Sequence, residues 1–234
     1  MIHFYVNVVT IEVKKLENLK VKKLPKATAK RLPLYLRYLK VLNESEIVRI
    51  KSKDFAQITQ VPSATIRRDF SYLGELGRSG YGYDVPYLVE VFSRLLESNE
   101  EKRIALCGYG NLGKALVNNN FRRNENLSIV AVFDNNPEMI GKTVNGFFVH
   151  SMADLKQVIK NEGITVAIST VPSKYSKDAI DAIVDAGITA ILNFAPNRVK
   201  VPKSVHMQYI DLTTELQTLI FFDSLQEKAA SVKA

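Results

Sequence analysis

The stretch that most constrains the fold runs from Arg103 to Asp134, RIALCGYGNLGKALVNNNFRRNENLSIVAVFD. Its opening apolar run, Ile104-Ala105-Leu106-Cys107, reads as a buried strand. Gly108-Tyr109-Gly110-Asn111-Leu112-Gly113 follows as a G-x-G-x-x-G turn, then a helix-like segment at 114–120. A β-branched run at 129–133 ends on Asp134, 21 positions past Gly113. Each part has a physical task. The first glycine permits a tight turn, and the second lets backbone N–H groups approach a pyrophosphate at a helix N-terminus. The third lets helix and strand pack closely, and the acid accepts hydrogen bonds from an adenosine ribose. Strand, turn, helix, strand and acid in this order predict a dinucleotide site. NAD(H) is favoured over NADP(H), because Asp134 would repel a 2′-phosphate.

The rest of the second half keeps an α/β rhythm. A hairpin-like piece at 141–149 precedes a helix at 152–161 and a buried strand at 165–169. Thr170-Val171-Pro172 ends that strand, and Ser173 or Ser176 can cap a helix running to Ala186, with Gly187 placed for its C-cap. Strands at 190–193 and 205–210 complete a parallel, doubly wound sheet. The segment 211–228 reads as a helix carrying Leu212, Leu216, Leu219, Ile220, Phe221, Phe222 and Leu225 on more than one side. Such a helix needs a deep slot in its own domain or in a partner; the sheet already has its helices, which favours a dimer contact.

Charge separates the two halves. Residues 1–98 hold 17 Lys+Arg against 10 Asp+Glu, a net +7, whereas the remainder carries a net +1. A basic domain joined to a neutral one suits a polyanion partner. The pattern agrees. From Pro25 the chain is helical, with Leu32, Tyr35, Leu36 and Leu39 as an apolar stripe flanked by Lys30, Arg31, Arg37 and Lys40. A short helix at 52–58, with Ser52 as N-cap and Phe55, Ala56 and Ile58 for the core, leads through a turn into a helix at 64–72 capped by Ser63. Ile66, Phe70 and Leu73 point inward, and Thr65, Arg67, Arg68 and Ser71 outward. This is a helix-turn-helix pattern. GELGRSGYGYDV, residues 74–85, then reads as a β-hairpin wing with Arg78 at or near its tip. The segment 85–101 is an amphipathic connector helix.

Residues 1–21 fit neither half, alternating weakly and then turning basic. No stretch is apolar over the roughly 18 residues of a membrane helix, and no signal peptide is convincing, so the expected compartment is the cytoplasm. The single cysteine, Cys107, excludes an intrachain disulfide and reads as a buried filler.

Six ordered stretches, KLPKATAKRLPLYLRYL, IRRDFSYLGELGRSGYGYDV, GYGNLGKAL, STVP, ILNFAP and YIDLTTELQTL, resemble the Rex family of redox-sensing transcriptional repressors over residues 22–228. The resemblance implies a homodimeric winged-helix repressor that binds double-stranded operator DNA when NADH is low and leaves it when NADH binds. It also implies a C-terminal helix exchanged between subunits. The expected organisation is an N-terminal extension (1–22), a winged-helix domain with connector (23–98), a Rossmann domain (99–210) and a dimerisation helix (211–234). The implied DNA-binding residues are Lys26, Ser63, Thr65, Arg67, Arg68, Tyr72 and Arg78. The implied NAD(H)-binding residues are Gly108, Tyr109, Gly110, Asn111, Leu112, Gly113, Asp134, Asn119, Thr170, Val171 and Pro172. Arg37 and the partner copy's Asp211 match a pair that couples the domains. Asn119 stands where the family often has a tyrosine near the nicotinamide.

The alternative function is an NAD-dependent dehydrogenase with a basic accessory domain. It would need a proton donor beside the substrate, whereas His3, His150 and His206 are scattered and Tyr175 has no identifiable partner. A CoA-binding scaffold on the same sheet would leave Asp134 and the winged helix without a purpose. Neither a catalytic residue nor a metal site is expected.

Overall fold

The computed structural model describes residues 24–78, 80–96, 101–119 and 126–231; the N-terminal extension expected at 1–22 lies outside them. The chain divides into two compact units, Met1–Ser98 and Asn99–Ala234.

In the first unit, α1 (Lys26–Glu44) precedes β1 (Arg49–Ile50), α2 (Ser52–Thr59), α3 (Ser63–Ser71), β2 (Gly77–Arg78), β3 (Gly82–Asp84) and α4 (Val85–Leu96). The expected stripe is the buried face of α1: Leu32, Tyr35, Leu36 and Leu39 all lie in the core. They meet Phe55 of α2, Ile66 and Phe70 of α3, and Leu88 and Phe92 of α4. The Tyr35 ring stands edge-on to Phe70 at 5.5 Å, and Phe70 edge-on to Phe92 at 5.3 Å. These aromatic pairs join α1, α3 and α4 in one core. The antiparallel sheet runs β1-β3-β2, and β2 and β3 form the wing. Three local expectations are corrected. Ser52 and Ser63 are the first residues of their helices; the N-cap positions are Lys51 and Pro62, and neither helix has a side-chain cap. Ile58 is an exposed side chain, because the short α2 turns only Phe55 and Thr59 fully inward.

The second unit is built on a seven-stranded sheet. Its elements are β4 (Lys102–Cys107), α5 (Asn111–Asn119), β5 (Leu127–Asp134), β6 (Thr143–Val144), β7 (Phe147–Ser151), α6 (Leu155–Glu162), β8 (Val166–Ser169), α7 (Ser173–Asp185), β9 (Ala190–Asn193), β10 (His206–Tyr209) and α8 (Leu212–Ser231). The strand order is β10-β9-β8-β4-β5-β7-β6, parallel except for the β6–β7 hairpin. From β4 the chain winds outward through β5 to β7, then returns to pair β8 on the other side of β4. That reversal is the topological switch point of a doubly wound sheet, where such folds bind ligands at the carboxyl ends of the strands. Alternate residues of β4 feed the two faces: Ala105 and Cys107 join one cluster, Ile104 and Leu106 the other.

Gly187 does close α7, at φ +95°; its amide reaches Val184 O (2.9 Å) and the Ile188 amide reaches Ile183 O (3.3 Å). Neither Ser173 nor Ser176 caps the start of that helix, whose N-cap position is Pro172. Ser176 is instead buried, where its hydroxyl accepts from Asn193 Nδ2 at 3.3 Å.

Candidate functional site

Gly108, directly after β4, has φ +99°, a conformation that a side chain would strain. Its amide donates to Phe133 O of β5 (2.8 Å), which holds the turn against the neighbouring strand. The Thr170 hydroxyl, at the end of β8, donates to Gly108 O (2.6 Å), so strands on both sides of β4 clamp the turn. A Cβ on Gly113 would come within 2.1 Å of Gly108 O, so the third glycine is required by the close approach of α5 to the turn. A Cβ on Gly110 would meet nothing within 4 Å. The turn is closed at its first and third glycines and open at the middle one. The first intrahelical bond of α5 runs from the Lys114 amide to Gly110 O (2.9 Å), so the amides of Asn111, Leu112 and Gly113 precede the helix ladder. An uncovered glycine at a helix N-terminus is a surface to which a pyrophosphate fits.

Asp134 ends β5 beside this turn. One carboxylate oxygen accepts from the Tyr109 amide (2.5 Å) and the other from the Asn136 amide (2.7 Å). A carboxylate has about four lone-pair sites, so acceptor capacity remains for ribose hydroxyls. Cys107, one residue before the turn, is fully buried, and burial pushes its thiol up to about 12. It is a packing residue and not a reactive thiolate.

The remaining expected cofactor residues occupy distinct places. Asn111 and Leu112 are exposed at the start of α5. Tyr109 contributes its amide to the turn, but its ring is 4% exposed and packs with Leu106 and Val132. Thr170, Val171 and Pro172 line the β8–α7 connection at the switch point, and Val171 Cγ1 lies 3.1 Å from a Cβ built on Gly108. Asn119 is the last residue of α5, exposed, and about 12 Å along the helix from Asn111. His150 packs against Phe133 and Phe148, and His206 lies on β10; neither is at the switch point. Among the described residues no group of His, Cys, Asp and Glu could hold a metal ion.

On the first unit, α3 presents Arg67 and Arg68 to solvent, with Ser71 and Tyr72 also exposed and Ser63 and Thr65 half-buried. Arg67 Nη1 donates to Ser52 Oγ of α2 (3.2 Å), and Arg68 Nε to the Tyr72 hydroxyl (3.4 Å). Arg78 is exposed on β2 of the wing, and Lys26 is exposed at the first residue of α1. Arg37 is exposed on α1, its guanidinium 5.2 Å over the Tyr38 ring.

What holds α3 is not visible in the local sequence pattern. Asp69, 1% exposed, accepts from Thr28 Oγ1 (2.8 Å), Arg31 Nε (2.6 Å) and Nη2 (2.7 Å), and the Tyr35 hydroxyl (2.6 Å). Burial pushes this carboxyl upward, but the bonds from Arg31, Tyr35 and Thr28 outweigh it and hold the group below the usual range. Four donors on one carboxylate tie the Arg-bearing helix to α1. The available signal was an aspartate between Ile66 and Phe70, on the face that turns inward. Asp211 was also more than a coupling candidate. It accepts from the Thr213 amide (3.0 Å), the Thr214 amide (3.3 Å) and the Thr214 hydroxyl (2.7 Å), and so caps α8; these bonds, the Thr214 hydroxyl first, lower its pKa.

Comparisons with known proteins cover both units. Residues 23–71 match the family described as "Putative DNA-binding protein N-terminus", and residues 99–197 the family described as "CoA binding domain". The chain is 66% identical over 212 residues to the redox-sensing transcriptional repressor Rex 2 of Enterococcus faecalis, covering 91% of this chain and 99% of that protein. It is 53% identical to the redox-sensing transcriptional repressor Rex of Latilactobacillus sakei, covering 86% and 96%. Among solved structures, RSP, a Rex-family repressor, aligns with a TM-score of 0.80 at 28% identity over 90% of this chain and 98% of that one. RSP in complex with NAD+ and operator DNA aligns at 0.79 and 29% identity, over 89% and 96%. RSP in complex with NADH aligns at 0.79 and 27%, over 90% and 98%.

Proposed function

The chain belongs to the Rex family of redox-sensing transcriptional repressors, and on that premise we propose how its residues perform the switch. It is a transcription regulator, not a dehydrogenase, and it responds to the balance of NADH and NAD+. It holds operator DNA when NADH is low and releases it when NADH binds. The observation that carries the cofactor assignment is the glycine turn at the switch point, open only at Gly110, with Asp134 beside it. When bound, the dinucleotide supplies the redox state that is read; the chain's own groups supply the binding. The amides at the start of α5 and the open face of Gly110 receive the pyrophosphate, and Asp134 receives the adenosine ribose. Thr170, Val171 and Pro172, across the switch point, border the nicotinamide half, with Tyr109, Asn111 and Leu112 completing the turn; Asn119, at the far end of α5, holds the position where the family often has a tyrosine near the ring. The CoA family that matches the second unit shares the sheet; Asp134 and the DNA-binding unit support a dinucleotide here.

On the first unit Arg67 and Arg68 read operator DNA from α3, with Ser63, Thr65 and Tyr72 on the same helix and its end. Arg78 enters a minor groove from the wing, and Lys26 meets the backbone. We assign residues 23–98 to DNA binding, 99–210 to the cofactor and 211–234 to dimerisation. Leu216, Leu219, Ile220, Phe221 and Phe222 of α8 are each more than half exposed in the single chain, which supports a homodimer formed through this helix. Arg37 and the partner's Asp211 would then link DNA-domain orientation to the cofactor site. The compartment proposed is the cytoplasm; no helix among the described residues is long and apolar enough to cross a membrane.

Titrating an operator-bound complex with NADH and NAD+ tests the reading. NADH is expected to release the DNA at concentrations at which NAD+ does not. Steady NADH oxidation with a panel of carbonyl substrates, or release by neither nucleotide, would count against it.

A further inference from the structure

The three-stranded sheet that carries the wing holds a second arginine that neither the helix-turn-helix pattern nor the hairpin motif accounts for. Arg49 lies on β1, and its guanidinium carbon sits 4.4 Å over the ring centroid of Tyr81 in the wing turn. Both are exposed, Tyr81 by 67%, so the ring contributes little to the core. The turn that carries it is tight: the Tyr81 amide donates to Arg78 O at 3.1 Å, between Gly80 and Gly82 at φ +77° and +84°. A Cβ on Gly82 would come within 2.7 Å of Ile50 O, so β1 passes close against the turn and the stack cannot easily drift apart.

A guanidinium stacked on a ring uses its flat face and leaves its in-plane N–H donors free. No carboxylate among the described residues takes them. Among the described residues Arg49 forms no ion pair, and Asp84, opposite it in register, accepts instead from the Tyr87 amide at the start of α4 (2.9 Å). The strand order β1-β3-β2 sets Arg49 and Arg78 on the two outer strands, which are about 10 Å apart. A minor groove is about 6 Å wide, so an arginine one wing-width away from Arg78 meets the bordering backbone and not the same groove floor. Arg67 of α3 donates to Ser52, three residues past Arg49, so the DNA-reading helix borders this strand.

We propose that Arg49, held in place by Tyr81, is a second arginine of this sheet that clamps a DNA backbone phosphate while Arg78 occupies the groove. The stack freezes the guanidinium before DNA arrives, which spares the ordering cost that a free arginine incurs on binding. The inference rests on the DNA-binding reading of the first unit and is independent of redox sensing.

Its test is the salt dependence of binding to a mixed-sequence duplex by the full chain without dinucleotide. The slope of log affinity against log salt counts phosphate contacts at about 0.9 each. Arg49→Gln is expected to lower the slope by about one and to weaken low-salt affinity roughly tenfold. Arg49→Lys should keep the slope but lose part of the affinity, because a point charge still pairs but cannot stack and fork. Tyr81→Ala should keep the slope with a severalfold loss, whereas Tyr81→Phe behaves as wild type. A wild-type slope and affinity in Arg49→Gln overturns the proposal and leaves the stack as a brace for the hairpin. If that variant melts early, Arg49→Lys decides: weaker binding at unchanged melting supports the clamp, and unchanged binding overturns it. A wild-type chain that ignores the duplex at low salt overturns both the clamp and the DNA-binding reading.

Discussion

Asp134 accepts a hydrogen bond from the Tyr109 amide at 2.5 Å, which joins the Gly108–Phe133 backbone bond in tying the glycine turn to the end of the neighbouring strand. The same carboxylate is therefore both a brace for the cradle and the proposed ribose acceptor. Two roles on one group lead to a specific expectation. Asp134→Ala should weaken NADH binding by about 1.5–3 kcal/mol, the cost of losing a charged hydrogen bond, and should narrow the gap between NADH and NADPH. Titrations of NADH and NADPH fluorescence read both quantities. Equal affinity of the wild type for the two nucleotides would remove Asp134 from the specificity role.

The glycines of the turn should respond differently to substitution. Gly113→Ala forces a methyl against Gly108 O, 2.1 Å away, so both stability and dinucleotide binding should fall. Gly110→Val places its Cβ in open space, with nothing within 4 Å beyond its chain neighbours, so its melting temperature should stay near wild type while NADH binding is lost. The comparison separates a residue that the fold needs from one that the ligand needs. Retained NADH binding in a folded Gly110→Val protein would show that the pyrophosphate lies elsewhere.

Asp69 makes the DNA-binding unit acid-sensitive. Its carboxyl is held below the value near 4 that it has in an unfolded chain, with burial opposing and the bonds from Arg31, Tyr35 and Thr28 prevailing. A depressed folded value means that the stabilisation is complete above about pH 4 and is lost as pH falls through the folded value. Asp69→Ala removes that dependence and leaves the Arg31 charge and the Tyr35 hydroxyl without their acceptor. A loss of about 3–5 kcal/mol at neutral pH is expected, confined to the first unit. Calorimetry that resolves two transitions checks this: only the transition of the DNA-binding unit should move, and equal movement of both would contradict it.

How much of this was legible in the sequence depended on how far apart the interacting residues lie. The glycine turn, its strand and Asp134 fall within one local stretch, where period and spacing carry the information. The stripe on α1 was equally visible, because Leu32, Tyr35, Leu36 and Leu39 repeat at helical intervals. Asp69 was hidden, since its partners Thr28, Arg31 and Tyr35 lie 34 to 41 residues away on another helix. Arg49 and Tyr81 were hidden for the same reason, joined only by the pairing of β1 with β3. The serine caps failed on a finer scale. A serine before a helical pattern can be its cap or its first residue, and only the backbone decides.

Asn119 leads to the last prediction, which concerns how sharply NADH is read. A ligand shifts a two-state equilibrium only by its difference in affinity for the two states. NADH and NAD+ differ by a charge and a ring shape at the nicotinamide, so groups near that ring must supply the difference. Asn119 is exposed at the last residue of α5, and its short amide offers neither an aromatic face nor the reach of a tyrosine hydroxyl. Among the described residues Arg37 is occupied only by its stack on Tyr38, whereas Asp211 already receives three hydrogen bonds from Thr213 and Thr214 and has limited acceptor capacity left. A tyrosine hydroxyl could join Arg37 to the partner's Asp211 without requiring that cap to open. One charge-assisted hydrogen bond is worth about 1.5–3 kcal/mol where buried, roughly ten- to a hundredfold in coupling. The wild type is therefore expected to release operator DNA less sharply than tyrosine-bearing relatives, and Asn119→Tyr should bring release to lower NADH without altering DNA affinity in its absence. Operator release in excess NAD+, followed by fluorescence anisotropy, measures the shift. If the wild type already dissociates fully at low-micromolar NADH and the substitution is silent, Asn119 does not limit the gate.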